Sequence, residues 1–200
     1  LEKSIQCGKN TISEYDKKIP SDLTAEQILI RSGNIGSVRI AQAIGLEKFK
    51  NFLDKLSLIS AIKFDIEEVG VPIPFRWGKC KLATASFGHG ITTTLLQLAK
   101  GYSIISNGGF DVKPTLIKKE NKENKKIRVL NKQVSKKINP ILRKIVSTKE
   151  GTANFANIEG YEVAGKTGTA QKSFNGVYSK NKINTFAAIF PASKPKYILL

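Results

Sequence analysis

The period of the hydrophobic pattern changes along this chain, and that change constrains the fold more than any other feature. Up to about residue 146 apolar residues recur at helical spacing, as in Phe49, Phe52, Leu53 and Leu56, or Leu95, Leu96, Leu98, Ala99, Tyr102 and Ile105. From Tyr161 onward short runs alternate instead, and turn signals at Asn175-Gly176 and Lys194-Pro195 divide them into an antiparallel meander of three strands. Helices first and strands last, with one early strand, predict an α+β fold rather than βαβ repeats.

The element boundaries follow from local chemistry. Residues 1–20 are polar and irregular. Thr24 to Gln27 has the form of a capping box, opening a short helix through Ile28, Leu29 and Ile30. Ser32-Gly33-Asn34 interrupts it as a turn. A second helix is expected over about 35–44, ending at Gly45, and a third follows. Pro72 and Pro74 keep residues 60–80 as loop and short elements. Phe87-Gly88-His89-Gly90 is a turn, and Thr92 or Thr93 is expected to cap the next helix, which stops at Asn107-Gly108-Gly109. A strand is expected at Thr115-Leu116-Ile117, an exposed charged loop or hairpin over 118–126, and a helix over about 134–146, bent at Pro140. The organisation is therefore 1–110 mostly helical, 111–130 strand and charged loop, 131–150 helix, and 158–200 strands, all within one domain.

Charge enters as a question about partners. Thirty-three Lys and Arg against 16 Asp and Glu give a net charge of +17. The excess is mostly Lys, spread along the chain, and no basic stretch carries the interleaved aromatics of a base-stacking surface, so nucleic acid is not the expected partner. No apolar run approaches the roughly 20 residues of a membrane helix, and no signal peptide is visible. The chain has no Met; Leu1 is read as an internal cut, and the final run Tyr197–Leu200 as a strand stopped midway. Cys7 and Cys80 lack the spacing of a metal site, and a disulfide and two free thiols both remain open.

Two motifs carry chemistry. In Lys166-Thr167-Gly168-Thr169-Ala170 a strand would point Lys166, Gly168 and Ala170 one way and Thr167 and Thr169 the other. Gly168 would leave room for a substrate backbone along the strand edge, and the Thr169 N–H would face a developing oxyanion. In Ser32-Gly33-Asn34, the hydroxyl suits proton relay and the amide suits holding a substrate amide; taken alone, the same triplet reads as a plain helix cap. The two together, S-x-N and then K-T-G on a strand well over a hundred residues later, are in the order found in penicillin-interacting enzymes.

On these motifs the chain resembles the transpeptidase domain of class B penicillin-binding proteins, most like the septal peptidoglycan transpeptidases. Further landmarks in the same order are Ile30 to Ala41, Ser86 to Gly90 with Leu95 to Ala99, Asn107-Gly108-Gly109, Glu150-Gly151-Thr152, Gly160-Tyr161 and Gly165 to Ala170. The resemblance implies the fold shared with serine β-lactamases, an antiparallel sheet flanked by helices, incomplete in this segment. It implies that Ser32 relays protons and that Asn34 holds the acyl-donor amide and orients the catalytic lysine. Lys166 would polarise the site, Thr167 and Thr169 would bind the substrate carboxylate beside Gly168, and the Thr169 N–H would be half of the oxyanion hole. The family's chemistry gives His89 no necessary role.

One element of the family pattern is out of place. S-x-x-K, which supplies the nucleophilic Ser and its Lys base from a helix preceding S-x-N, occurs only as Ser60–Lys63 and Ser193–Lys196, both after Ser32. The nucleophile is therefore expected before Leu1, and these 200 residues alone are expected to be inactive. The implied reaction is attack of that Ser on the penultimate D-Ala carbonyl of a stem peptide, expelling D-alanine, then aminolysis of the acyl-enzyme by a neighbouring stem. Stem peptides, β-lactams and other cell-division or cell-wall synthesis proteins are the implied partners, and no metal or organic cofactor is implied. The implied location is the periplasmic face of the inner membrane, with an anchor outside this segment. A serine β-lactamase, a D,D-carboxypeptidase and a penicillin-sensing domain share the motifs and are the alternatives.

Overall fold

The computed structural model describes residues 4–66, 70–78, 80–118, 126–174 and 177–200. The first element departs from expectation. Strands β1 (Ser4–Cys7) and β2 (Asn10–Ser13) form an antiparallel hairpin that turns at Gly8, whose φ is +64°. Only Ile5 and Ile12 reveal it, and they are cross-strand partners, each 8% exposed. Ile5, Cys7 and Ile12 are too few apolar residues in ten to give a readable alternation, and the hairpin's stability comes from packing on Ile35, Val38 and Ala83.

Helix α1 (Ala25–Arg31) opens with the expected capping box: Thr24 Oγ1 accepts from the Gln27 amide at 3.2 Å and Gln27 Oε1 accepts from the Thr24 amide at 2.9 Å. Helix α2 (Asn34–Ile44) follows after the expected turn, and Gly45 separates it from α3 (Leu46–Lys55). Gly36 lets α1 and α2 close on each other, because a Cβ there would lie 2.5 Å from the Ile28 side chain. A short α4 (Lys81–Ala85) precedes the glycine turn at 88–90.

The cap of α5 (Leu95–Ser106) is Thr94, not Thr92 or Thr93. A capping box fixes the cap three residues before its Gln, and the Thr94 amide donates to Gln97 Oε1 at 2.8 Å. Thr92 is otherwise engaged, accepting from the Ile73 amide at 2.8 Å. The strand expected at 115–117 does not form. Asp65 Oδ2 takes the Leu116 amide at 2.6 Å and the Thr115 hydroxyl, so a side-chain carboxylate replaces the ladder, and Leu116 and Ile117 stay exposed. Of the charged segment, residues 119–125 lie outside the described residues, as does the Asn175-Gly176 turn.

Helix α6 (Lys132–Ser147) passes through Pro140 without ending, with Pro140 on its exposed side. Its other face buries Leu142, Ile145 and Val146. The meander is β3 (Ala164–Phe174), β4 (Val177–Phe190) and β5 (Tyr197–Leu199), in spatial order β3-β4-β5. Strand register sets Ala164 opposite Ile189 and Lys166 opposite Ala187.

The larger core joins α1, α6 and the sheet through Ile30, Leu142, Ile145, Val146, Ala153, Ala164, Ile189 and Ala192. Each large aliphatic residue so buried contributes about 1.5–3 kcal/mol. This core brings the C-terminal end of α1 to the face of β3. Two ion pairs tie α1 to α6 and its following turn: Lys144–Glu26 at 2.5 Å and Arg31–Glu150 at 2.8 Å.

Candidate active site

Ser32 is the C-cap of α1 and stands in the left-handed region, φ 58° and ψ 43°. That conformation is unfavourable for a residue with a Cβ and is held here by tertiary structure. The amide of Ser32 donates to Leu29 O at 3.3 Å and that of Gly33 to Ile28 O at 2.9 Å, closing α1. The left-handed step turns the exposed Ser32 hydroxyl toward β3.

Lys166 arrives from the other wall. It shares a strand face with the buried Ala164, Ala187 and Ile189, so its stem is covered while its tip emerges. Nζ stands 2.7 Å from Ser32 Oγ and 2.9 Å from Thr167 O. Burial disfavours the ammonium and pulls the pKa from the ordinary 10.5 down to about 8. A lysine whose ammonium is disfavoured by burial can serve as proton donor or acceptor toward a hydroxyl at hydrogen-bond distance.

Thr167 alternates to the opposite side, where its hydroxyl lies 2.7 Å from that of Thr152. Thr169 donates to Asn184 Oδ1 at 3.1 Å from the neighbouring strand. β3 pairs with β4 on one edge and has no second partner among the described residues. The Thr167 carbonyl meets Lys166 Nζ, and alternate residues of a strand aim their peptide groups to the same edge, so the Thr169 N–H shares that edge. Gly168 has a reason beyond substrate access: a Cβ would lie 2.6 Å from Oγ1 of Thr185, its cross-strand partner.

Asn34 is the first residue of α2. Its side chain does not meet Lys166; Nδ2 donates to Ser13 O at 2.9 Å. The other expected landmark, His89, lies in the turn after α4 with its ring 5.5 Å from that of Phe87. Neither S-x-x-K string is helical. Ser60 follows the end of α3, and its carbonyl accepts from Gln97 Nε2 at 2.6 Å. Ser193 lies in the bend between β4 and β5, where its hydroxyl and amide both bond Glu162.

Three contacts around the site had no sequence signal of their own. Glu14 accepts from the Asn34 amide at 2.6 Å and the Ile35 amide at 3.0 Å, 20 and 21 residues away. The Arg31–Glu150 pair spans 119 residues. Thr152 was visible only as part of the Glu150-Gly151-Thr152 landmark, with no role attached. Cys7 and Cys80 are joined, Cα–Cα 5.5 Å, which closes the question left by the sequence and fastens the hairpin to the start of α4. Among the described residues no group of His, Cys, Asp and Glu is arranged to hold a metal ion, and no helix is long and apolar enough to cross a membrane.

Comparison with known proteins identifies the family of the chain. The penicillin-binding protein transpeptidase domain matches residues 2–200. Penicillin-binding protein PbpB of Mycolicibacterium smegmatis is 29% identical over 98% of the chain and 33% of its own length. The probable peptidoglycan D,D-transpeptidase PbpC of Pseudomonas aeruginosa is 31% identical over 88% of the chain and 32% of its own length. The chain thus spans about a third of the length of these curated relatives. In structure, penicillin-binding protein 3 of Mycobacterium tuberculosis complexed with ampicillin superimposes with TM-score 0.89 at 29% identity, over 98% of the chain and 48% of that structure. A transpeptidase domain from Burkholderia pseudomallei penicillin-binding protein 3 gives 0.87 at 25% identity, over 98% of the chain and 60% of that structure. A match over nearly the whole sequence, with the same fold in the solved structures, means that the chain belongs to the transpeptidase domain of the class B penicillin-binding proteins.

Proposed function

We propose that this chain is the S-x-N and K-T-G part of a septal-type peptidoglycan D,D-transpeptidase, and that the nucleophilic Ser and its base lie outside these 200 residues. The observation that carries the reading is the 2.7 Å contact between Ser32 Oγ and Lys166 Nζ beside an edge strand. A serine hydroxyl and a lysine of lowered pKa form a proton path suited to acyl transfer.

In this reading a stem peptide lies along β3, its carboxylate drawn to Lys166 and bonded by the hydroxyls of Thr167 and Thr169. An incoming serine attacks the penultimate D-Ala carbonyl, and the Thr169 N–H stabilises the oxyanion. The serine's proton passes through Lys166 and Ser32 to the amine of the departing D-alanine. Deacylation reverses the path: an amine of a second stem gives up its proton as the new amide forms. The Cys7–Cys80 disulfide supports an oxidising compartment, as a periplasmic site requires. The ampicillin and aztreonam complexes of the mycobacterial protein support β-lactams as ligands.

The test is covalent labelling. The full-length protein, incubated with a fluorescent penicillin, should form an adduct that survives denaturation, and Lys166→Ala should slow its formation by orders of magnitude. The 200-residue chain alone should form none. Absence of an adduct in the full-length protein overturns the reading, and release within seconds points to a β-lactamase.

A further inference from the structure

Thr167 and Thr169 share one face of β3, about 6.6 Å apart along it, so a single carboxylate can reach both hydroxyls. The register sets Phe186 opposite Thr167 and Asn184 opposite Thr169. Each hydroxyl has a side-chain partner of its own. Thr152 Oγ1 lies 2.7 Å from Thr167 Oγ1, and Thr169 donates to Asn184 Oδ1 at 3.1 Å. The transpeptidase reaction as proposed uses Thr169 but gives Asn184 no part.

The protons decide what that part is. A hydroxyl has one proton, and an ionised carboxylate only accepts. To bind the carboxylate, Thr169 must turn its proton from Asn184 to the ligand, and its oxygen then faces Asn184 as an acceptor. A carboxamide can meet that change, because rotation about its terminal torsion exchanges Oδ1 for Nδ2 without altering its shape. Asn184 lies on an exposed stretch of β4, so this rotation displaces no packed neighbour. Thr152 has the same versatility toward Thr167, since either of those hydroxyls can be the donor. A carboxylate at position 184 would only accept, and an aliphatic side chain would do neither. We propose that Asn184 is a positioning residue of the site: it holds the Thr169 hydroxyl in the free cleft and, by turning its amide over, supports that hydroxyl as a donor to the ligand carboxylate.

The assignment rests on the transpeptidase reading, and the experiment keeps the two apart. Initial binding of benzylpenicillin to the full-length protein is separated from the acylation step by varying the β-lactam concentration. Asn184→Val keeps a strand-favouring side chain without a polar group. It should weaken initial binding about fivefold, as loss of one hydrogen bond does, and leave the acylation step unchanged. Asn184→Thr has the same shape but regains a group that both accepts and donates, so it should bind as wild type does. In a Thr169→Val background neither substitution at 184 should have any effect, whereas a strand that had merely loosened would still show one. Asn184→Ala takes the place of Asn184→Val if the latter does not fold. The assignment is overturned by an equal loss in Asn184→Thr, by a loss that persists without the Thr169 hydroxyl, by slowing of the acylation step, or by no loss in Asn184→Val. If the wild-type protein itself is not acylated, the transpeptidase reading has failed and the assignment falls with it.

Discussion

Ser32 Oγ and Lys166 Nζ meet at 2.7 Å although 134 residues separate them. The contact is a product of the fold. α1 ends in a left-handed step that aims the hydroxyl, α6 lies between α1 and β3 as a common support, and Arg31–Glu150 closes the span on the residue next to Ser32. Ile30 and Ala164, each two residues from a member of the pair, are buried in the larger core, so the backbone on both sides of the contact is held in place.

Lys166 is placed at a cost to stability, and that cost depends on pH. In the unfolded chain a lysine keeps its proton up to about 10.5, whereas folded Lys166 releases it near 8. Between those values the unfolded state holds more protons, so rising pH stabilises the fold; below 8 the burial penalty is present in full. Lys166→Met should therefore raise the melting temperature at pH 7, and its advantage over wild type should shrink as pH climbs from 8 to 10.5. A pH-independent difference would show that burial of the charge is not what Lys166 costs.

Gly168 tests the strand geometry. A methyl group there would lie 2.6 Å from Thr185 Oγ1, so Gly168→Ala should destabilise by about 1–3 kcal/mol through overpacking. Adding Thr185→Ala removes the colliding atom and should restore most of the loss in a denaturant titration. Failure of the double variant to recover would place the constraint in the backbone instead.

Thr152 sits on a turn whose neighbours Gly151 and Ala153 are both buried, and its hydroxyl lies 2.7 Å from that of Thr167. A fixed partner of this kind sets the direction in which Thr167 donates. If Thr167 binds a substrate carboxylate, Thr152→Val in the full-length protein should weaken initial binding of benzylpenicillin by about fivefold, the worth of one hydrogen bond. Binding of its carboxamide analogue should hardly change, and Thr152→Ser should restore the wild-type value. Parallel losses with both ligands would confine Thr152 to a structural role.

Helices whose periods and caps are local, such as α1 with its Thr24–Gln27 box and α5 with its run from Leu95, were readable because every determinant lies within one turn. The cap of α5 was misplaced by a residue or two because three threonines in a row precede it and only the spacing to Gln97 selects Thr94. The hairpin at 4–13 and the missing strand at 115–117 fail for the same physical reason. One is stabilised by contacts with α2 and α4, the other dissolved by Asp65 from 50 residues away, and neither influence leaves a mark in the segment itself. The site divides in the same way. Ser32, Asn34 and the residues around Lys166 carry recognisable motifs, whereas Glu14, which holds one of them in place, is an ordinary acidic residue until the fold brings it to α2.

The disulfide offers the last test, because it closes a long loop around the N-terminal half of the chain. Cys7 and Cys80 are 73 residues apart, and constraining a loop of that length in the unfolded state stabilises by about 4 kcal/mol on the chain-entropy relation. Reduction, or Cys7→Ala with Cys80→Ala, should lower the melting temperature accordingly. The effect should be uneven: hydrogen exchange should quicken most in β1, β2 and α4, and in the Asn34 and Ile35 amides that Glu14 holds, because these are tied together through the hairpin. The strands around Lys166 belong to the other core and should keep their protection until global unfolding. Uniform acceleration across both cores would mean that the hairpin and the sheet unfold as one unit, and that the hairpin is not a separable support for Asn34.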